Sequence, residues 1–119
     1  MERSRRKRLK ARAPPWKRQE QRDQDEFLIS GLIEHAAAHH GSVEIVSHVS
    51  DTQVVRSTWS KVHLRAQCLA NALTAMGVLP GQRIATLAWN THRHLELYFA
   101  VSGMGAVSHP VNPRLSAEP

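Results

Sequence analysis

Few residues in this chain have the types and spacing to do chemistry. His35 and His39 lie four apart with His40 beside them, so on a helix the first two share a face. Two imidazoles at that spacing are half of a zinc site. A metalloprotease helix would carry Glu directly after the first His, where Ala36 stands, and no other Cys/His pair has ligand spacing. The three therefore read as solvated histidines near a helix C-terminus, where partial positive charge is mildly favourable. His92 and His94 flank Arg93 just after a predicted strand, the place where α/β folds bind ligands. An anion-contacting loop and a polar first helical turn both fit that position, and the polar turn is preferred. Gly103-Met104-Gly105 ends a predicted helix rather than opening one, so it cannot aim helix N–H groups at a phosphate. Cys68 is the single cysteine, which excludes an intrachain disulfide and fits a reducing compartment; nothing near it would lower a thiol pKa, and it is expected as a small buried residue. There is no G-x-x-x-x-G-K-[S/T] loop, no G-x-S-x-G elbow and no pair of carboxylates in a plausible site. No catalytic, cofactor-binding or metal-ligating residue is assigned on these grounds.

The elements that would have to position such residues are easier to read. Phe27, Leu28, Leu32, Ile33, Ala36 and Ala37 recur at helical spacing, predicting an amphipathic helix over 27–40 with Gly41 placed to cap it. "VEIVSHV" (43–49) and "QVVRST" (53–58) are β-branched runs around Ser50-Asp51-Thr52, which predicts a hairpin with a three- or four-residue connection. Thr58 can N-cap the next helix, whose apolar positions Val62, Ala66, Leu69, Ala70, Leu73 and Met76 keep one face until Gly77 stops it. Pro80-Gly81 makes a turn. "RIATLAW" (83–89) is apolar on both faces, as strands of a parallel sheet are when both faces are covered. Asn90 or Thr91 can cap a helix over 92–102, with Leu95, Tyr98, Phe99 and Ser102 along one side and Gly103/Gly105 at its end, and "AVSHPV" (106–111) supplies another strand. Strand, crossover helix and strand form a right-handed βαβ unit. Two parallel strands are not a finished sheet, so the fold class expected is α/β with an incomplete sheet, the body (26–119) being a partial domain.

Charge separates the body from what precedes it. Residues 1–25 hold ten Lys/Arg against four acids, which accounts for the whole formal charge of +6; residues 26–119 carry six basic and six acidic residues. This leader has few apolar residues and carries Pro14-Pro15, so disorder is expected. A nucleic-acid arm, a nuclear signal, an anionic-membrane contact and an Arg-rich transit peptide are the functional readings of such a run; a solvated leader is preferred, with Trp16 its only aromatic. No run of about 18 apolar residues exists and no apolar stretch follows the basic residues as a signal peptide requires. A soluble, intracellular, cytoplasmic body is expected.

"GVLPGQRIATLAWNTHRHLELYFAVSGMGAVSHPVNPRL" (77–115) resembles the adenylate-forming acyl-CoA synthetases, most closely their fatty-acid-CoA ligase branch. The similarity extends back through "LISGLIEHAAAHHGSVEIVS" and "STWSKVHLRAQCLANALTAMGV" and so covers about residues 27–116, with "HLELYFAVSGMGAV" and "NPRL" its more specific parts. The resemblance implies the first stretch of a large N-terminal domain, and a parent enzyme that uses ATP and Mg2+ to make a fatty acyl-adenylate and then passes the acyl group to coenzyme A. It implies a Ser/Thr/Gly-rich phosphate loop with a lysine, an acidic magnesium ligand and a late catalytic lysine, all downstream of the matched region, so no catalytic residue carries over and no cofactor is expected on these residues. It also implies homodimer contacts through residues 27–40. One departure is local: where the family often reads Thr-Tyr-x-Glu, this chain has Thr58-Trp59-Ser60-Lys61, and losing the reciprocal capping carboxylate costs about 0.5–1 kcal/mol.

Three functions follow as expectations. The first is an N-terminal fragment of a fatty-acid-CoA ligase, inactive alone and molten or aggregating rather than cooperatively folded. The second is a small interaction module that associates with a full-length synthetase. The third, a nucleic-acid binder through the basic tail, would show a steep salt dependence.

Overall fold

The computed structural model describes residues 28–115; the basic leader of residues 1–25 and Phe27 lie outside them. The elements run α1 (Ile29–His39), β1 (Glu44–His48), β2 (Val54–Thr58), α2 (Trp59–Ala75), β3 (Arg83–Leu87), α3 (His92–Gly103) and β4 (Val107–Val111). β1 and β2 pair antiparallel, while β3 and β4 pair parallel across α3. The described residues thus form an α/β arrangement with a hairpin, a βαβ unit and no closed sheet.

Local chemistry accounts for most boundaries. Thr58 Oγ1 accepts from the Lys61 backbone N–H at 3.4 Å, capping α2 as its sequence suggests. The hairpin closes through a turn in which Val49 N–H donates to Gln53 O at 2.9 Å, leaving Ser50-Asp51-Thr52 as the connection. α3 ends in a Schellman motif: Gly105 N–H donates to Ser102 O and Ala106 N–H to Val101 O, both at 3.1 Å. Gly105 adopts φ +80° there, a conformation in which a Cβ would be strained, and α2 closes the same way at Gly77. Gly103 lies inside α3 rather than past its end.

Gly41 follows α1 for a different reason from the one its position suggests. It is not in the left-handed region; a Cβ there would run into Ser60 Oγ and the Ala37 carbonyl, because the chain leaving α1 passes directly against the start of α2.

The core lies where the three helices meet. It consists of Ile33, Val62, Ala66, Ala70, Ala100, Val101, Met104 and Ala106, with Val62 and Val101 both at 0% exposure. Half of these are alanines, whose small side chains let α2 and α3 approach closely. The buried face of α3 differs from the expected one. Glu96, Ala100, Val101 and Gly103 are buried, Leu95 and Phe99 pack against the core from its edge, and Tyr98 is exposed. The apolar arc of α3 is wider than one contact face, and the small residues, rather than the large ones, take the tight contact with α2.

Two other expectations are corrected. Cys68 is exposed, because the buried stripe of α2 runs through Val62, Ala66 and Ala70 and residue 68 lies about 200° round the helix from Ala66 and Ala70. Met76 falls at the C-cap and is exposed as well. The strand at 83–87 is covered on one face only, as the expected incomplete sheet implies: Ile84 and Thr86 turn towards the protein, while Arg83, Ala85 and Leu87 share an open face with Val107 and His109. Leu87 is 72% exposed. Its apolar pattern is that of a strand covered on both sides, but α3 covers only one.

Candidate functional site

The place to look for a site is the C-terminal end of β3 and β4, where ligands bind in open α/β sheets. Two loops leave the sheet there. After β3, Trp89, Asn90 and Thr91 lead into α3, with Thr91 N–H donating to Trp89 O at 2.8 Å. After β4, Asn112 Oδ1 accepts the Arg114 backbone N–H at 3.0 Å and holds "NPRL" in a turn. That turn sets the Arg114 guanidinium 5.5 Å from the centre of the Trp89 ring, within cation–π range. The tip of the β1–β2 hairpin, at His48 and Val49, faces both loops across an open cleft of about 630 Å³.

A buried polar seam joins this end to the hairpin. Ser47 is buried on the inner face of β1, and its Oγ accepts the His92 backbone N–H at 2.9 Å. Thr91 occupies the N-cap of α3 but makes no side-chain capping bond, so a serine from another element satisfies an orphan donor of this helix. His94 Nε2 pairs with the hydroxyl of buried Thr86 at 3.1 Å, which ties α3 to β3. His92 and His94 thus serve as joints between elements, Arg93 stays exposed, and His92 Nδ1 is buried without a partner among the described residues.

The second polar feature is an ion pair. Arg65 Nε donates to Glu96 Oε1 at 2.6 Å, with Glu96 only 4% exposed. The hydrogen bond to Glu96 raises the Arg65 pKa, with the carboxylate's charge acting the same way. Sequence reasoning passed over this pair. The available signal was a lone carboxylate in "HLELYF" at helical spacing from Ala100. On α2, burial pushes the His63 imidazole below its ordinary value, and its Nε2 lies 2.9 Å from Gln67 Nε2.

The other sequence candidates do not meet at this end. His35, His39 and His40 gather at the C-terminal end of α1, and Gly105 is committed to the helix stop. Among the described residues no group of three or more His, Cys, Asp or Glu could hold a metal ion. Among the described residues no carboxylates converge, and Gly77 and Gly105 close helices instead of opening them, so neither aims helix N–H groups at a phosphate. The cleft offers an arginine, an aromatic ring and amides, but it pairs no nucleophile with a base.

Fold and cleft together define a piece of α/β scaffold with an open parallel sheet. The chain belongs to the AMP-binding enzyme family, whose sequence profile matches residues 33–119. It is 52% identical over 94 residues to the medium-chain-fatty-acid–CoA ligase of Ectopseudomonas oleovorans, covering 79% of this chain and 17% of that protein. It is also 52% identical over 92 residues to the 3-methylmercaptopropionyl-CoA ligase of Ruegeria lacuscaerulensis, covering 77% of this chain and 17% of the relative. Among solved structures, the fatty acyl CoA synthetase of Mycobacterium tuberculosis superposes with a TM-score of 0.62 at 29% identity, over 76% of this chain and 18% of its own. The N-terminal domain of FACL13 from the same organism gives 0.64 at 29% identity, over 76% of this chain and 22% of its own. The chain is therefore similar to fatty-acid and acyl-CoA ligases of the adenylate-forming family and spans under a fifth of the length of these two ligases. No helix among the described residues is long and apolar enough to cross a membrane.

Proposed function

We propose that this chain is the N-terminal part of a fatty-acid-CoA ligase and does not catalyse by itself. The parent reaction is activation of a fatty acid by ATP and Mg2+ to an acyl-adenylate with loss of pyrophosphate, followed by thioester formation with coenzyme A. Activation is needed because a carboxylate is a poor electrophile until its oxygen is esterified to a good leaving group. The observation that carries this reading is the 52% identity to a ligase of which this chain covers only 17%. Equal identity to a ligase named for a short thioether acid argues that these residues build scaffold and that acyl selection lies elsewhere. Residues 26–119 are then a partial AMP-binding-type domain of a cytoplasmic enzyme of lipid metabolism. Residues 27–40 contribute to a homodimer, a role supported by Leu32 on α1, which is 65% exposed.

A chimera tests the reading. Residues 26–119 replace the matched segment of the Ectopseudomonas ligase, and ATP–pyrophosphate exchange is followed with medium- and long-chain fatty acids. The chimera is expected to exchange and the 119-residue chain to show no rate. A soluble but inactive chimera, or a measurable rate from the pure chain, would overturn the proposal.

A second reading, a small module that binds a full-length synthetase, draws support from the open face of the β3–β4 pair and from strand edges that no other described strand pairs. Stable co-sedimentation of this chain with an intact ligase would favour it.

A further inference from the structure

We infer that the C-terminal end of α1 is a divalent transition-metal site in which His35 and His39 hold one cation as adjacent ligands. The sequence fails the test for a closed zinc site, which needs four ligands; a chelate of two imidazoles completed by water is a different structure, and the geometry fits it. The two ring centres lie 4.4 Å apart with their planes at 44°. With metal–nitrogen bonds of about 2.0–2.1 Å, a ring centre sits roughly 3.2 Å from its metal, so two adjacent imidazoles hold their centres about 4.5–5.2 Å apart. A small side-chain rotation closes that gap. His40, at the C-cap, has its ring centre 6.1 Å from that of His35, wider than two adjacent ligands allow, so the chelate is assigned to His35 and His39 alone.

Both rings are exposed, and neither makes a hydrogen bond or ion pair with the other described residues, so a cation displaces only water. His39 lies in the last turn of α1 and His35 one turn before it, at the end of the helix where partial negative charge favours a cation. Imidazole ligands with open positions suit Cu2+ and Ni2+, and the usual order of divalent affinities places Cu2+ first. Once one imidazole has bound, the second binds as an intramolecular ligand, which is what separates this pair from the isolated histidines of the chain.

The test is a titration of the full 119-residue chain with Cu2+ alone in a non-coordinating, mildly alkaline buffer, followed by calorimetry and electron paramagnetic resonance. One tight site per chain with two nitrogen ligands is expected. His35→Gln and His39→Gln should each weaken it by about tenfold or more, whereas His40→Gln should leave it unchanged. Helical circular dichroism should rise with Cu2+ in the unsubstituted chain and in His40→Gln only, because the chelate closes one helical turn. Unchanged affinity in either of the first two variants, or equal loss in His40→Gln, would overturn the site. Neither readout depends on ligase activity.

Discussion

Replacing Leu87 and Val107 together by lysine should make this chain more soluble without changing its helices. Both residues lie on the face of the β3–β4 pair that no described element covers, with Leu87 72% and Val107 47% exposed; Trp89 and Leu115, at 59% and 71%, are exposed on the segments that leave the C-terminal ends of β3 and β4. Fully burying a side chain of this kind is worth about 1.5–3 kcal/mol, so covering the exposed fractions of these four is worth roughly 4–8 kcal/mol. A complete domain has only about 5–15 kcal/mol of net stability, so this face is large enough to decide whether the chain exists as a monomer. We expect the unsubstituted chain to associate with rising concentration, to bind a hydrophobic dye and to lack a sharp thermal transition. In Leu87→Lys/Val107→Lys the sedimentation coefficient should fall to that of a monomer and dye binding should drop severalfold, with the far-ultraviolet spectrum unchanged. Sedimentation velocity reads the first effect and dye fluorescence the second. A monomeric unsubstituted chain with a two-state transition would refute the reasoning, since the open face would then be an ordinary exposed surface.

Arg65→Leu should loosen α3 against α2 by about 1–3 kcal/mol, the usual cost of leaving a buried charged group without its partner, and less than a fully buried pair would show because Arg65 is half-exposed. Arg65→Leu combined with Glu96→Met should lose less than Arg65→Leu alone; amide exchange along α3 measures both, and strictly additive losses would remove the pair from the account. Lower pH should weaken α2 through His63. Its folded pKa lies below the ordinary 6.5, so as pH falls through that value the unfolded chain takes up the proton first, and stability declines until the folded pKa is passed. The helical circular-dichroism signal should therefore fall between mildly alkaline and mildly acidic pH, and His63→Gln should reduce that fall.

Much of this molecule is written in local chemistry. The order of seven elements, the Thr58 cap, the turn at Ser50-Asp51-Thr52 and the glycine stops at Gly77 and Gly105 each depend on residues a few positions apart, and so a linear reading finds them. The family likeness is equally linear, because it is a match of ordered residues. What needed the tertiary structure was every choice among several local options. The apolar arc of α3 is wide enough for more than one buried face, and contact with α2 selected Glu96, Ala100 and Val101 over Tyr98. Ser47 is an unremarkable strand residue until the hairpin folds against α3 and its hydroxyl meets the His92 amide. Arg65 and Glu96 are 31 positions apart and become partners only when two helices cross. The strand at 83–87 carries the composition of one covered on both faces, yet whether a second layer covers it depends on long-range packing, which no residue within the strand can specify.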